Sequence, residues 1–394
     1  MGSSFKIGSF NAIDTNDEKN PKSNNHGAND ELKKKLLVFA GIILAVVIIL
    51  FLVLYLFSLF TNKTYSYDEI EEVMIQAAES YFEDHSDRLP DSENQRVEID
   101  VETLSSSEYM NPMSEYTGDA LSCTGKVSVQ MNGEDYLYTP QLDCGDDYVT
   151  ESLKDVLIKD VVTDGYGLYQ VGNSYVYRGE DVDNYLQLDQ ALWRIVKIMD
   201  NGQIMLILND QASLNVPWDN RYNAEVGYNS GINTYSASRV RESLLDLYES
   251  NDEDQTILTD NDRSKLISFD VCVGKRGDLD SHLDNSSECS EVLENEKIGL
   301  LTVSDYMMAS MDSNCSTTLS RSCQNYNYLV TSYEWWLATA ASDSTSMAYG
   351  VETSGTVSKE STSSYRYPRA VVMLNSNALF KSGNGTFDKP YQLK

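Results

Sequence analysis

From Leu36 to Phe60 the chain reads LLVFAGIILAVVIILFLVLYLFSLF, without a single charged side chain. Roughly 20 such residues in a helix cover the about 30 Å of hydrocarbon in a bilayer, so the run is expected to span one with some tilt. A cleaved signal peptide would have a shorter apolar core and a small-residue cleavage site. This run instead ends in Leu59-Phe60-Thr61-Asn62-Lys63. Lys33, Lys34 and Lys35 abut its N-terminal end, whereas Asp68, Glu69, Glu71 and Glu72 follow it. Lysine excess marks the cytoplasmic side of a membrane. The expected topology is therefore a single-pass transmembrane helix over 36–60, with the lipid bilayer as partner through Leu36–Phe60. Residues 1–35 would form a disordered cytoplasmic tail, and the C-terminal bulk would be extracellular. Met1-Gly2 is not read as a myristoylation signal, because Lys6 stands where Ser or Thr is needed.

The 394 residues carry a formal charge of −31, and all of that negative excess lies after the apolar run. Such an acidic chain has no surplus of Lys and Arg to displace counterions from phosphates, which excludes nucleic acid as a partner. All six cysteines (Cys123, Cys144, Cys272, Cys289, Cys315 and Cys323) also follow the run. An even number on an exported portion points to three disulfides. One pair is argued from strand register. Lys126–Val129 and Tyr136–Tyr138 flank Asn132-Gly133-Glu134-Asp135, which reads as a hairpin. With Met131 opposite Tyr136, the register brings Cys123 opposite Cys144. Pairs 272–289 and 315–323 complete the set by nearness in sequence alone.

After the run, Ser66-Tyr67-Asp68-Glu69 is a capping box leading into a helix whose apolar face carries Ile70, Val73, Ala77 and Tyr81. With the strand-like Val97–Val101 and the cysteine hairpin, residues 66–147 form an expected small helix-plus-hairpin domain. A core that small is marginal, so a disulfide at its base suits it. A larger mixed α+β domain with antiparallel strands is expected over 157–394. Its strongest hairpin joins Leu192–Ile198 to Gln203–Leu208 around Asp200-Asn201-Gly202. An Asn201-Gly202 tip would set Val196 opposite Ile207 and Ile198 opposite Met205. Apolar residues on both faces make this hairpin central. Ser238 caps an expected helix with Val240, Leu244, Leu247 and Tyr248 on one face, and a second helix covers Val303 to Ser310. Asn251–Asp254 reads as an acidic loop. The remainder is strand: Trp335–Thr339, Met347–Val351 and, after a turn at Ser354-Gly355, Arg369–Leu374. The fold class is α+β.

Five stretches form an ordered set: NYLQLDQALWRIVKIMDNGQIMLILND, YSASRVRESLLDLY, IGLLTVSDYMMAS, YEWWLATA, and PRAVVMLN ahead of GNGTFDKPY. Over about 160–394 the chain resembles a family of poorly characterised exported domains of Gram-positive bacteria and their wall-less relatives. Members sit behind a membrane anchor or in surface proteins, which implies a bacterial plasma membrane here. The order LLTVSDYMMAS, Trp-rich strand, Gly turn, Arg-x-Val strand is also similar to formylglycine-generating-type and C-type-lectin-like domains. Their catalytic members use two cysteines and bound copper, and no pair here maps onto those positions. The membrane helix, amphipathic helix and sheet are similar in order to pilins, without the prepilin processing signature.

No serine-hydrolase elbow, zincin, P-loop or dinucleotide motif occurs, and no catalytic residue or cofactor is assigned. Asp278, Asp280 and Asp284 begin like a calcium loop, but Leu283 stands at the glycine position and Cys289 at the bidentate glutamate. Arg194 and Arg369 lie inside apolar strands and are expected to pair with carboxylates. Trp193, Trp335 and Trp336 are candidate ligand contacts together with those arginines. Trp335 and Trp336 point to opposite faces of a strand, which would expose one of them. The expected function is a membrane-anchored extracellular binding or adhesion module of the cell envelope that meets a surface protein or glycan. A structural component of an envelope assembly and an envelope enzyme are the alternatives.

Overall fold

The computed structural model describes residues 27–61 and 65–394, apart from 93–94, 119–121, 133–134, 190, 212–214 and 251–255. Most of the expected N-terminal tail, the tip of the cysteine hairpin and the acidic loop after Ser250 lie outside the described residues. Residues 1–64 and 65–394 are separate compact units. The first contains helix α1, Gly27–Thr61, so residues 27–35 of the expected tail are helical. Its described side chains are Lys34, Lys35 and residues 37–53, all exposed. Among the described residues no helix is long and apolar enough to cross a membrane. That finding overturns the transmembrane helix over 36–60 and the lipid partner assigned to it. The single-pass plasma-membrane location and the extracellular adhesion role, with its envelope alternatives, fall with the anchor on which they rested.

Residues 65–394 form one α+β unit with mixed sheets. The small helix-plus-hairpin domain expected over 66–147 is therefore not separate from the rest. Side-chain bonds tie its elements to later ones. Lys394 Nζ reaches Asp68 Oδ1 at 2.7 Å and Glu71 Oε2 at 2.6 Å, and Asn132 Nδ2 donates to Leu266 O at 3.2 Å.

Helix α2, Tyr67–Asp84, starts at the Ser66–Glu69 capping box and buries Ile70, Met74, Ala77, Ala78, Tyr81 and Phe82. These pack on one face of an antiparallel sheet of β1 (Arg96–Asp100), β2 (Thr124–Asn132) and β3 (Asp135–Asp143). Alternation sets the faces: Val97, Val129 and Tyr138 share one row, and Ile99, Val127 and Pro140 the next. Met131 opposes Tyr136, and the same register ends in the Cys123–Cys144 disulfide.

The second core lies around a nine-stranded sheet. It contains β4 (Gly167–Val171), β5 (Ser174–Arg178), β6 (Tyr185–Gln187), β7 (Leu192–Ile198) and β8 (Ile204–Leu208). The short β9 (Val216–Pro217) belongs to another sheet, and β10 (Leu266–Ile267) lies at an edge of the nine-stranded one. Next come β11 (Phe269–Cys272), β12 (Lys275–Arg276), β13 (Val292–Glu296) and β14 (Trp335–Ala341), followed by β15 (Met347–Val351), β16 (Val357–Ser361) and β17 (Tyr365–Pro368). The chain closes with β18 (Val371–Leu374), β19 (Phe380–Ser382) and β20 (Tyr391–Leu393). Strand β8 sits between β18 and β7, so the Leu192–Leu208 hairpin is central and buried. Its register differs from the expected one: Ile198 opposes Ile204 and Lys197 opposes Met205. A bulge between Ile195 and Lys197 takes up Val196, and Gly202, at φ 85°, belongs to a loop closed by Met199 and Gln203. The strands are not all antiparallel. β12 and β17 each run parallel to β14, and β20 runs parallel to β6.

The helix Arg239–Glu249 is capped by Ser238 and buries Val240, Leu244 and Tyr248. The helix Val303–Met308 begins with a Thr302–Asp305 capping box. Three disulfides, Cys123–Cys144, Cys272–Cys289 and Cys315–Cys323, leave no free cysteine.

Candidate functional site

The stretch with the most concentrated polar chemistry is the segment 277–287. It leaves β12 and returns to the Cys272–Cys289 disulfide. Arg276, fully buried, holds it from below. Its Nε donates to Thr318 Oγ1 at 2.7 Å, and its Nη1 lies 3.1 Å from Glu288 and 2.6 Å from Ser304 Oγ. Its Nη2 donates to the carbonyls of His282, at 2.7 Å, and Asp280, at 3.2 Å. The backbone around His282 is thus fixed by a guanidinium that is itself neutralised by buried Glu288. At the far end, Asn285 adopts a left-handed conformation (φ 61°) and donates Nδ2 to Asp305 Oδ1 at 3.1 Å. Asp305 is buried against Lys197 Nζ at 2.6 Å.

The imidazole of His282 is oriented from one side. Its Nδ1 lies 2.6 Å from Asp280 Oδ1, which also accepts the His282 backbone N–H at 3.0 Å. Ser287 Oγ donates to the other carboxylate oxygen. Burial alone would raise the Asp280 pKa. The hydrogen bonds from Ser287 and His282, with the charge of Arg276, outweigh it and bring the value to about 2. An ionised Asp280 makes Nδ1 the donor in this contact. A cavity of about 470 Å³ opens beside this ring. Val171, Val176, Leu283 and Met308 give it an apolar wall, and Arg178, His282 and Asp284 form its polar side. Arg178 is held in place by Nε to Met308 O at 3.1 Å and Nη2 to Ser310 O at 3.0 Å.

The three candidate calcium ligands diverge. Asp278 accepts from Tyr349 Oη at 2.7 Å and from Lys359 Nζ at 2.8 Å. Asp280 serves His282, and Asp284 is exposed and accepts from the Ser286 N–H at 3.1 Å. Among the described residues no group of three or more His, Cys, Asp or Glu is placed to hold a metal ion.

The aromatic and arginine candidates lie in the core, away from this cavity. Trp193, Trp335 and Trp336 are all fully buried. Trp335 packs edge-on to Tyr306, and Trp336 packs edge-on to Trp218 while donating Nε1 to Val216 O at 2.9 Å. Neither of the adjacent pair is exposed, because sheet β14 is covered on both faces. Among the described residues, Arg194 and Arg369 have no carboxylate partner of the kind expected of them. Arg194 donates to Asn184 Oδ1 at 2.5 Å and to Tyr185 Oη at 2.8 Å, with the Tyr185 and Tyr328 rings 3.8 and 4.9 Å from its guanidinium carbon. Arg369 donates to the carbonyls of Leu208, Leu329 and Asn209. Carbonyl dipoles and ring faces replace a counter-ion at both sites.

Sequence reasoning did not single out Arg178 or the Asp280–His282 pair as a unit. The available signal was their i, i+2 spacing, in which an Asp side chain turns back onto the backbone two residues on.

No family model, curated protein or solved structure matches this chain. That result gives no support to membership in an exported, membrane-anchored domain family, and it removes the formylglycine-generating-type and C-type-lectin-like comparison as an argument.

Proposed function

We propose that this is a ligand-binding protein whose cavity beside His282 takes a small amphipathic carboxylate, an aliphatic monocarboxylate being the simplest example. The observation that carries this reading is an apolar cavity of about 470 Å³ with Arg178 and His282 at its polar side and His282 fixed by Asp280. The volume lies within the about 300–1,000 Å³ of small-molecule sites, which combine apolar walls with a few placed polar groups. The aliphatic body would lie on Val171, Val176, Leu283 and Met308. The carboxylate would meet the Arg178 guanidinium, whose charge is not neutralised by an ion pair among the described residues. Asp284 opposes an anion at the rim, so it limits affinity. The three disulfides suit a protein that works under oxidising conditions.

The test is calorimetric titration of the disulfide-intact protein with octanoate, octanol and octylamine. Octanoate is expected to bind and octylamine is not. Replacing exposed His282 by Gln should weaken octanoate about tenfold, and Asp284→Asn should strengthen it. Equal binding of the three compounds, or octanoate binding untouched by both substitutions, would sink the proposal.

A further inference from the structure

The three-stranded sheet has a second face, and it is polar. Opposite the rows that pack on α2 run Glu98–Ser128–Thr139 and Asp100–Lys126–Gln141, with Arg96 at the end of β1. A polar sheet face is ordinarily left to water. Here Arg96, Asp100, Lys126, Thr139 and Gln141 of that face line one wall of a cavity of about 780 Å³. The other wall comes from later segments, including Thr150, Ser152, Lys154, Asn201 and Asn377.

Two observations show that polar groups of this cleft are not consumed by the fold. Asn377 Nδ2, on the wall opposite the sheet, is buried without an acceptor. Glu98, in the middle of β1, is neutralised by Lys126 at 2.7 Å, whereas Arg96, Asp100 and Glu102 around it have no ion pair among the described residues. The cleft thus keeps one uncommitted cation at one end of β1 and two uncommitted carboxylates at the other.

We infer that this cleft is a binding site for a short zwitterionic peptide. A pure anion would meet Asp100, Glu102, Asp143 and Asp155, and a pure cation would meet Arg96 and Lys154. A neutral ligand would desolvate both sets without pairing either. A ligand with separated charges of both signs satisfies the two ends together. Arg96 and Asp100 share a face four residues apart, a distance of about 13 Å along a strand. An extended chain advances about 3.3–3.6 Å per residue, so the matching ligand has three or four residues. Its carboxylate lies at Arg96, its ammonium lies at Asp100 and Glu102, and its backbone amides face Thr139, Gln141 and Asn377.

The test uses the whole disulfide-intact protein and tetraglycine as probe, with its N-acetylated and C-amidated forms, read by calorimetry and by amide shifts of β1–β3. Tetraglycine is expected to bind, and blocking either end should weaken it at least about tenfold. Arg96→Gln should weaken tetraglycine but not the C-amidated form, whereas Asp100→Asn should weaken tetraglycine but not the N-acetylated form. Both residues are exposed, and far-ultraviolet circular dichroism confirms folding of the variants. Absence of binding at millimolar peptide, equal binding of blocked and free forms, or preference for maltotetraose would overturn the inference. The His282→Gln variant should bind tetraglycine normally, which separates this site from the carboxylate cavity.

Discussion

Arg276 Nη1 lies 3.1 Å from both carboxylate oxygens of Glu288, and neither side chain is exposed to solvent. The pair joins β12 to the segment carrying His282, and Ser304 Oγ and the Ser304 N–H complete the carboxylate's hydrogen bonds. Removing one member of such a pair leaves the other buried and uncompensated. Breaking buried pairs costs about 3–5 kcal/mol. Glu288→Gln is therefore expected to destabilise the protein by about that amount in urea unfolding. Replacement of an exposed acid such as Asp284 by Asn should change stability by less than about 0.5 kcal/mol.

Acid should loosen the same region first. The Asp280 pKa is about 2 in the folded protein, against a reference of 3.8. Asp305 is also lowered: burial pushes it up, but the Lys197 charge and the hydrogen bonds from Lys197, Thr302 and Asn285 prevail. A folded-state pKa below the unfolded value gives stability that is complete above the unfolded pKa and lost as pH falls through the folded one. Stability should decline between about pH 4 and pH 2, and Asp280→Asn should flatten that decline. Urea midpoints measured across this range check it; parallel curves for the two proteins would rule out the assignment.

What could be read from the sequence was local. The Ser66 capping box, the Ser238 cap and the β2–β3 register with its disulfide all depend on residues near one another in the chain. The register of β7 and β8 was not legible, because Val196 alternates like its neighbours and nothing marks it as bulged. Parallel pairing of β12 with β14 joins Arg276 to Ala341 across a long stretch of sequence and leaves no periodic trace. The Asp280–His282 spacing was visible, but its importance depends on Arg276 and on β5, which bring Arg178 to the same cavity. The partners of Arg194 and Arg369 were misjudged for a related reason. An abundance of Asp and Glu suggests ion pairs, whereas the Asn184 amide oxygen and Tyr185 hydroxyl pair with Arg194, and backbone carbonyls pair with Arg369.

Arg369 turns that last point into a measurable difference. Its three carbonyl partners come from β8, the residue following it and the segment before β14. Arg369→Met should leave those acceptors without donors, at a cost of about 1–3 kcal/mol. Asp210, an exposed neighbour that acts on Arg369 only through its charge, is not its partner. Asp210→Asn should therefore change stability by less than about 0.5 kcal/mol. Equal destabilisation by the two substitutions would restore the ion-pair account.

The Cys123–Cys144 disulfide closes the base of the hairpin whose polar face lines the peptide cleft, across a sequence separation of 21. Constraint of the unfolded chain by a loop of that size contributes about 3 kcal/mol, on an entropic account that is model-dependent. Replacing both cysteines by Ser should lower the urea midpoint by the corresponding amount. Because Thr124 and Asp143 stand next to the bridge and line the cleft, the same variant should weaken tetraglycine. Octanoate binding should remain intact, since β5 and the segment 277–287 are held by the Arg276 network and the Cys272–Cys289 bridge. Amide exchange can locate the effect. Faster exchange confined to β1–β3 is the expected pattern, and uniform acceleration across 65–394 would show that this bridge stabilises the unit as a whole.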